Sequence, residues 1–228
     1  MKKAIVTGAN GFVGGATLRE LLNNGYEVWA IGHQDHFSNV PEDSMVYKIS
    51  CDLEGMKDLP NKISVGEYDL FYHFAWAGSA GAARANTALQ LKNVQWTLDA
   101  LRAAKELGCR RFVCAGSIVE HETVAAAYTQ GNRPGLGYIY GSGKLAAHAM
   151  CMPVAAALGI ELVWPEITNA YGIGERSPRL VNTTIQKCIR GEAPQFTAGI
   201  QNYDFVYIDD VARAFRLIGE NGKPFHEY

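Results

Sequence analysis

Lys3-Ala4-Ile5-Val6-Thr7-Gly8-Ala9-Asn10-Gly11-Phe12-Val13-Gly14 is the stretch that decides the fold. Its apolar run, residues 4–6, ends in glycines three apart, and an amphipathic segment follows over residues 16–24. That order predicts a strand, a tight turn and a helix. Gly8 is free to take a positive φ, Gly11 lets backbone approach a ligand closely, and Gly14 lets the helix pack tightly on the strand. The helix N-terminus then offers unpaired N–H groups and a partial positive charge to a pyrophosphate. A glycine fingerprint by itself is a weak signal. Placed directly after a strand and opening a helix, it has the context that a dinucleotide site requires.

Working outward, residues 27–31 read as a second parallel strand that ends in Gly32-His33-Gln34. A carboxylate just past that strand would hydrogen-bond an adenosine ribose and favour NAD. None stands at the first position, and Asp35 lies too far along, so Gly32 and His33 lean the reading towards NADP. Residues 46–49 form a third strand; Asp52, just beyond it, reads as an acceptor for the adenine amino group or as a cap for the segment from Leu53. Residues 69–75 are nearly continuous in apolar character, as a strand buried on both faces is. Ala75, Trp76, Ala77 and Gly78 keep its end uncrowded, and His73 within it reads as a satisfied core histidine.

Leu91, Val94, Leu98, Leu101 and Ala104 recur at three- and four-residue steps, which predicts a long amphipathic helix over 86–107. Asn93, beside that stripe, reads as a buried hydrogen-bonding residue near the active centre. Gly108 ends the helix. A fifth strand over 111–115 then delivers Ser117 to the edge that carries the glycine turn. An irregular loop follows, with Glu120 on a strand-like extension. Tyr140 and Lys144, four apart at the start of an Ala-rich helix, share one helical face. An ammonium held near a phenol favours the phenolate. Tyr138 is excluded from that part because Ser142 stands four residues after it. Pro153 should kink or interrupt the helix. A sixth strand over 161–164, a loop over 165–174, a helix over 180–190 and an extended piece leading into a helix capped by Asp209 complete the pattern.

Composition narrows the class. With 228 residues, 48% of them hydrophobic, the chain can bury a full core as one domain. Lys plus Arg number 21 against 23 Asp plus Glu, and with no basic block nothing points to nucleic acid or a membrane surface. Five scattered cysteines without a C-x-x-C read as reduced residues of a cytoplasmic protein. Met1-Lys2-Lys3 leads straight into a strand, without the apolar stretch of a signal peptide.

The motifs Thr7-Gly8-x-x-Gly11-x-x-Gly14, His73-x-Ala75, Ser117, Tyr140-x-x-x-Lys144, Asn169-x-Tyr171-Gly172 and Asp204-Phe205-Val206-Tyr207-Ile208-Asp209-Asp210-Val211-Ala212 occur in that order. Together they resemble an extended short-chain dehydrogenase/reductase of the NAD(P)-dependent nucleotide-sugar epimerase/dehydratase group, over the whole chain. The resemblance implies an α/β fold, a Rossmann-like doubly wound parallel sheet with a small, truncated C-terminal substrate-binding part. Residues 1–165 would form the dinucleotide-binding core, and residues 166–228 substrate-binding elements interleaved with the last core segments.

By the same resemblance, Tyr140 exchanges a proton with a sugar oxygen, Ser117 hydrogen-bonds that oxygen, and Lys144 holds the nicotinamide ribose. A hydride passes between sugar carbon and nicotinamide. Cofactor contacts would come from Gly8, Asn10, Gly11, Phe12, Val13 and Gly14 in the turn, and from Gly32, His33, Asp52 and Leu53 around the adenosine. Phe74, Ala75, Ala77, Asn93 and Pro165, with Tyr140 and Lys144, would complete them. Trp76, Ser117, Asn169, Arg179 and Leu180 would meet the substrate, and no metal is implied. Relatives pair through a four-helix bundle, so the helices over 86–107 and 142–158 imply a homodimer.

Departures from the family pattern shape the reaction. The acid pair of the 4,6-dehydratases is replaced by Ile118 and Val119, and Glu120 would point the other way. The cysteine of the 3,5-epimerase-reductases is also Val119. What remains is 4-epimerisation or reduction of a keto-sugar. Tyr203 stands where the family carries a phosphate-binding arginine, which shifts that role to Arg176 or Arg179. Two other readings stay open at this point: a non-catalytic dinucleotide sensor or scaffold, and a reductase of a small non-nucleotide ketone.

Overall fold

The computed structural model describes residues 1–33 and 36–228; the expectations touching Gln34 and Asp35 lie outside the described residues. Strand β1 (Lys2–Thr7) runs into helix α1 (Phe12–Asn23), then β2 (Tyr26–Gly32), β3 (Val46–Ser50) and β4 (Tyr68–His73). Helix α2 (Thr87–Glu106) leads to β5 (Cys109–Cys114), the short β6 (Gly116–Ser117), α3 (Val119–Tyr128) and α4 (Tyr138–Leu158). The chain closes with β7 (Glu161–Trp164), β8 (Glu166–Ile167), β9 (Asn169–Tyr171), α5 (Leu180–Ile189), β10 (Phe205–Tyr207), α6 (Ile208–Asn221) and β11 (His226–Glu227).

Seven parallel strands form the main sheet in the order β11-β7-β5-β4-β1-β2-β3. This is a doubly wound α/β architecture, and its order reverses between β1 and β4. Crossovers on either side of that point diverge, leaving a crevice at the carboxyl ends of the strands. One apolar layer lies under α2 and α4 and includes Phe71, Leu101, Phe112 and Trp164. The other lies under α1 and α6, where Leu18 and Leu21 share a cluster with Val211 and Phe215. Arg216 of α6 bonds Glu20 at 2.8 Å and Glu220 at 2.8 Å, fixing α6 against α1 from the solvent side.

Several local expectations are corrected. Helix α1 begins at Phe12, four residues earlier than the hydrophobic pattern indicates, because Gly14 lies inside it. The segment after Ser117 is helical rather than extended, so Glu120 occupies the first turn of α3. Pro153 does not interrupt α4, which is assigned continuously through it. The 165–174 loop contains β8 and β9, which pair with β6 and β10 in two small parallel sheets. The N-cap of α6 is Tyr207, and Asp209 sits in the first turn without capping it. The terminal β11, unrecognised in the sequence, extends the main sheet beside β7. Leu91 falls on the predicted stripe of α2 yet is exposed, while Val94, Leu98, Leu101 and Ala104 are buried. All five cysteines are free, and Cys188 is exposed. No helix among the described residues is long and apolar enough to cross a membrane.

Candidate functional site

A cleft of about 1060 Å³ opens over the β1–β4 switch point and gathers residues between Thr7 and Arg179. Its floor is the glycine turn. Gly8 has φ +68°, and a Cβ there would stand 2.8 Å from the Ala75 nitrogen; one on Gly14 would stand 2.3 Å from the Gly8 oxygen. Both contacts are with backbone, so the close approach of turn, β4 and α1 requires glycine. The N-terminus of α1, capped by Gly11 without a side-chain hydrogen bond or a first-turn acid, presents Phe12, Val13 and Gly14 to the cleft. Free amides and positive dipole there suit the phosphates of a dinucleotide. The turn is also a cradle in which added side chains would meet backbone, so the residues fit such a cofactor.

The adenosine end is bounded by Gly32, His33, Asp52 and Leu53, as the sequence indicates. Asn10 braces it: its Oδ1 accepts from the Asn39 amide at 2.7 Å, and its carbonyl accepts from the Asn39 side chain at 2.9 Å. Asp52 spends one oxygen on the Gly55 amide at 2.8 Å, capping its own turn. His36, Ser38 and Asn39 also line this end, which sequence reasoning missed because no motif marks the residues beyond β2.

Behind the β4 end, His73 is buried between Thr7 Oγ1, 2.9 Å from Nδ1, and Thr97 Oγ1, 3.4 Å from Nε2. Burial first, and the charge of Lys144 second, push its pKa down to about 3, so the ring is neutral. The loop after β4 is strapped to α2. Asn93 Oδ1 accepts from the Ala77 amide at 2.9 Å and its Nδ2 donates to the Ala77 carbonyl at 2.8 Å. Trp76 Nε1 donates to Gln90 Oε1 at 2.8 Å.

Ser117, Tyr140 and Lys144 all line the same cleft, together with Phe74, Ala75, Trp76 and Ala77. Tyr140 is only 8% exposed. Arg84 stands over its ring, with the guanidinium carbon 4.2 Å from the centroid, and Trp76 meets its edge at 6.0 Å. Lys144 Nζ donates to the Ala115 carbonyl at 2.8 Å and lies 3.8 Å from the Trp76 ring centroid. An ammonium over an aromatic face is attracted by the ring quadrupole. Arg84 was not singled out in the sequence; an arginine inside Gly81-Ala82-Ala83-Arg84-Ala85 carries no motif.

Four residues expected at the site stand elsewhere. Asn93 has its amide occupied by the backbone of Ala77, and Pro165 instead accepts from the Gly116 amide at 2.8 Å. Asn169 is held in β9 against Phe205, and Leu180 opens α5 on the surface. None of the four lines the cleft, whereas Arg176 and Arg179 both do. Arg179 Nε lies 3.6 Å from Glu175, whose side chain is 4% exposed. Tyr203, in place of the family arginine, is exposed and stacks on Phe205. Burial pushes the Cys51, Cys109 and Cys114 thiols up and that of Cys151 to about 12, which disfavours their thiolates.

The model of the NAD dependent epimerase/dehydratase family matches residues 4–228. The chain is 27% identical over 230 residues to UDP-glucuronic acid decarboxylase 1 of Arabidopsis thaliana, covering 96% of this chain and 52% of the relative. It thus spans about half the length of the curated relatives it matches. A solved UDP-glucuronic acid 4-epimerase from Bacillus cereus in complex with NAD superposes with TM-score 0.78 at 21% identity, covering 99% of this chain and 76% of that one. The Bordetella bronchiseptica enzyme WbmF in complex with NADH gives 0.81 at 20% identity, with coverages of 100% and 70%.

Proposed function

The chain belongs to the NAD dependent epimerase/dehydratase family, and from that premise we propose that it is an enzyme acting at C4 of a nucleoside-diphosphate sugar, as a 4-epimerase or a 4-keto-reductase. One observation carries this reading: a serine, a tyrosine and a lysine line one cleft with a glycine turn suited to a dinucleotide. When bound, the nicotinamide supplies the hydride chemistry. Everything else falls to the chain. Tyr140 moves the proton of the C4 oxygen, and Ser117 hydrogen-bonds that same oxygen and fixes its direction. Lys144, one helical turn on, is steadied by the Ala115 carbonyl and the Trp76 ring and would hold the nicotinamide ribose. Trp76 and Arg84 cover the Tyr140 ring and keep bulk water from it.

The substrate is read as a uridine diphosphate sugar, since the similar proteins are named for UDP-glucuronic acid. Arg176 and Arg179 line the cleft and suit a diphosphate, with Glu175 steadying Arg179. Ile118 and Val119 follow Ser117 directly and carry no proton, which favours epimerisation or reduction over elimination of water. The finer cofactor reading is NADP. Gly32, His33, His36, Ser38 and Asn39, which end and follow β2 at the adenosine end, carry no carboxylate to repel a 2′-phosphate, and Asp52 on the β3 side spends one oxygen on the Gly55 amide. The free cysteines fit a reducing cytoplasm.

The test is a titration of the chain with NAD, NADP and their reduced forms, followed by UDP-glucuronic acid, UDP-glucose and CDP-glucose. Near-ultraviolet nicotinamide absorbance and product sugars are the readouts. The expected result is tighter binding of the 2′-phosphorylated forms and turnover with a UDP-sugar alone. Dinucleotide binding without turnover of any of the three sugars would remove the enzymatic reading. On the same reading the chain pairs through α2 and α4, which pack on each other and leave Leu91, Met150 and Met152 exposed. Sedimentation velocity should then give a dimer, and Leu91→Glu a monomer.

A further inference from the structure

Ser117 stands in front of a buried cluster that the proposed chemistry does not use. Three residues on, Glu120 turns back from the first turn of α3, and its Oε1 accepts from the Ser117 amide at 2.9 Å. The same oxygen accepts from Trp164 Nε1 at 3.2 Å, and Oε2 lies 3.2 Å from His148 Nδ1. A glutamate reaching back to an amide three residues earlier is half of a capping box, ordinarily a solvent-exposed device. Here the residue is 2% exposed and its carboxylate touches three partners from three elements. The imidazole of His148 stacks on the Trp164 ring with centroids 4.4 Å apart and planes 3° apart. Its other nitrogen lies 3.8 Å from Glu227, while neighbouring Glu166 pairs with His121 at 2.9 Å.

The spacing along α4 gives this cluster its meaning. Tyr140, Lys144 and His148 follow one another at four-residue steps, so one helix face carries all three. Two of them line the cleft; the third grips Glu120, and Glu120 grips the backbone of Ser117. Gly116 packs directly on the grip, since a Cβ there would stand 2.4 Å from Trp164 Nε1 and 3.1 Å from Glu120 Oε1. The Ser117 hydroxyl makes only a long contact of 3.4 Å with the Val119 amide, so the tie leaves it available to the cleft.

We propose that Glu120 is a positioning residue for Ser117, locking the serine turn in register with the Tyr140–Lys144 face of α4 through His148 and Trp164. This rests on the reading that Ser117 acts in the reaction. What matters is an acceptor at the right reach. Glutamine at 120 still offers an oxygen to the Ser117 and Trp164 donors, whereas aspartate keeps the charge and withdraws the oxygen by a methylene. A lapse in register of about 1 Å costs up to about 100-fold in rate.

The experiment compares Glu120→Gln, Glu120→Asp and Glu120→Ala in the whole chain, with NADPH and UDP-glucuronic acid as probes and the dinucleotide Kd as the control for folding. Glutamine is expected to keep kcat within about threefold, and aspartate and alanine to lower it about 10–100-fold, with KM and dinucleotide Kd within about twofold. In the Ser117→Ala background, Glu120→Asp should add nothing further, because both act through one hydroxyl. Aspartate outperforming glutamine, additive losses, or losses shared equally by KM and Kd would overturn the proposal. If Ser117→Ala itself leaves kcat unchanged, the failure lies with the serine's assigned role, and the inference falls with it. Should the alanine protein not fold, the order of glutamine and aspartate decides.

Discussion

Tyr140→Phe should lower turnover by about 10²–10⁴-fold and leave dinucleotide affinity nearly unchanged. The substitution deletes a single oxygen. The ring remains to fill its place under Arg84 and against Trp76, where the guanidinium carbon is 4.2 Å and the indole 6.0 Å away. Loss of folding is therefore not expected, and melting temperature should move by no more than a few degrees. The lost function is proton transfer at the sugar oxygen, which neither Ser117 nor Lys144 can take over from where it stands. Lys144 Nζ is held on the Ala115 carbonyl at 2.8 Å, and Ser117 has no general base beside its hydroxyl among the described residues. Single-turnover absorbance with a UDP-sugar measures the effect without product release. A rate within fivefold of the parent chain would remove Tyr140 from proton transfer and leave that role to another group of the cleft.

How much of this was legible in the sequence depends on whether the information was local. The glycine turn was legible because three glycines at fixed spacing answer a purely local steric demand. The strands β2, β4 and β5 were legible because burial leaves apolar runs in them. Tyr140 and Lys144 were legible because helical spacing alone puts them on one face. The misreadings share a different origin. The 119–128 stretch has almost no amphipathic pattern, so nothing local marks it as helix, and Glu120 within it bonds Trp164 and His148 far along the chain. Leu91 continued a perfect stripe and is exposed all the same, since periodicity identifies an apolar face without saying what covers it. Strand β11 has two residues and no signal of its own; it exists because β7 offers an unpaired edge. Arg84 over Tyr140 is likewise a meeting of two segments that no spacing rule connects.

Gly14→Ala should weaken both folding and cofactor binding through one added methyl group. Two effects oppose each other. In a helix interior alanine is favoured over glycine by about 1 kcal/mol, and Gly14 lies within α1. Against this, the new Cβ would stand 2.3 Å from the Gly8 oxygen and 2.9 Å from the Gly8 carbon. Neither atom can rotate away as a side chain would, so α1 must withdraw from the end of β1 or the turn must open. Overpacking of this kind costs about 1–3 kcal/mol, enough to cancel the helical gain. The Gly8 oxygen also accepts the Gly11 amide at 2.9 Å, so moving it loosens the bond that shapes the turn. Net destabilisation of about 1–2 kcal/mol by urea unfolding is expected, with dinucleotide affinity down at least about tenfold because the amides of Phe12 and Val13 move with the helix. Gly135→Ala is the control: an added Cβ there meets nothing within 4 Å, and neither quantity should change. If Gly14→Ala were destabilised yet bound dinucleotide with parental affinity, the glycine turn would be a packing device alone, and the phosphates would have to be held elsewhere along the cleft.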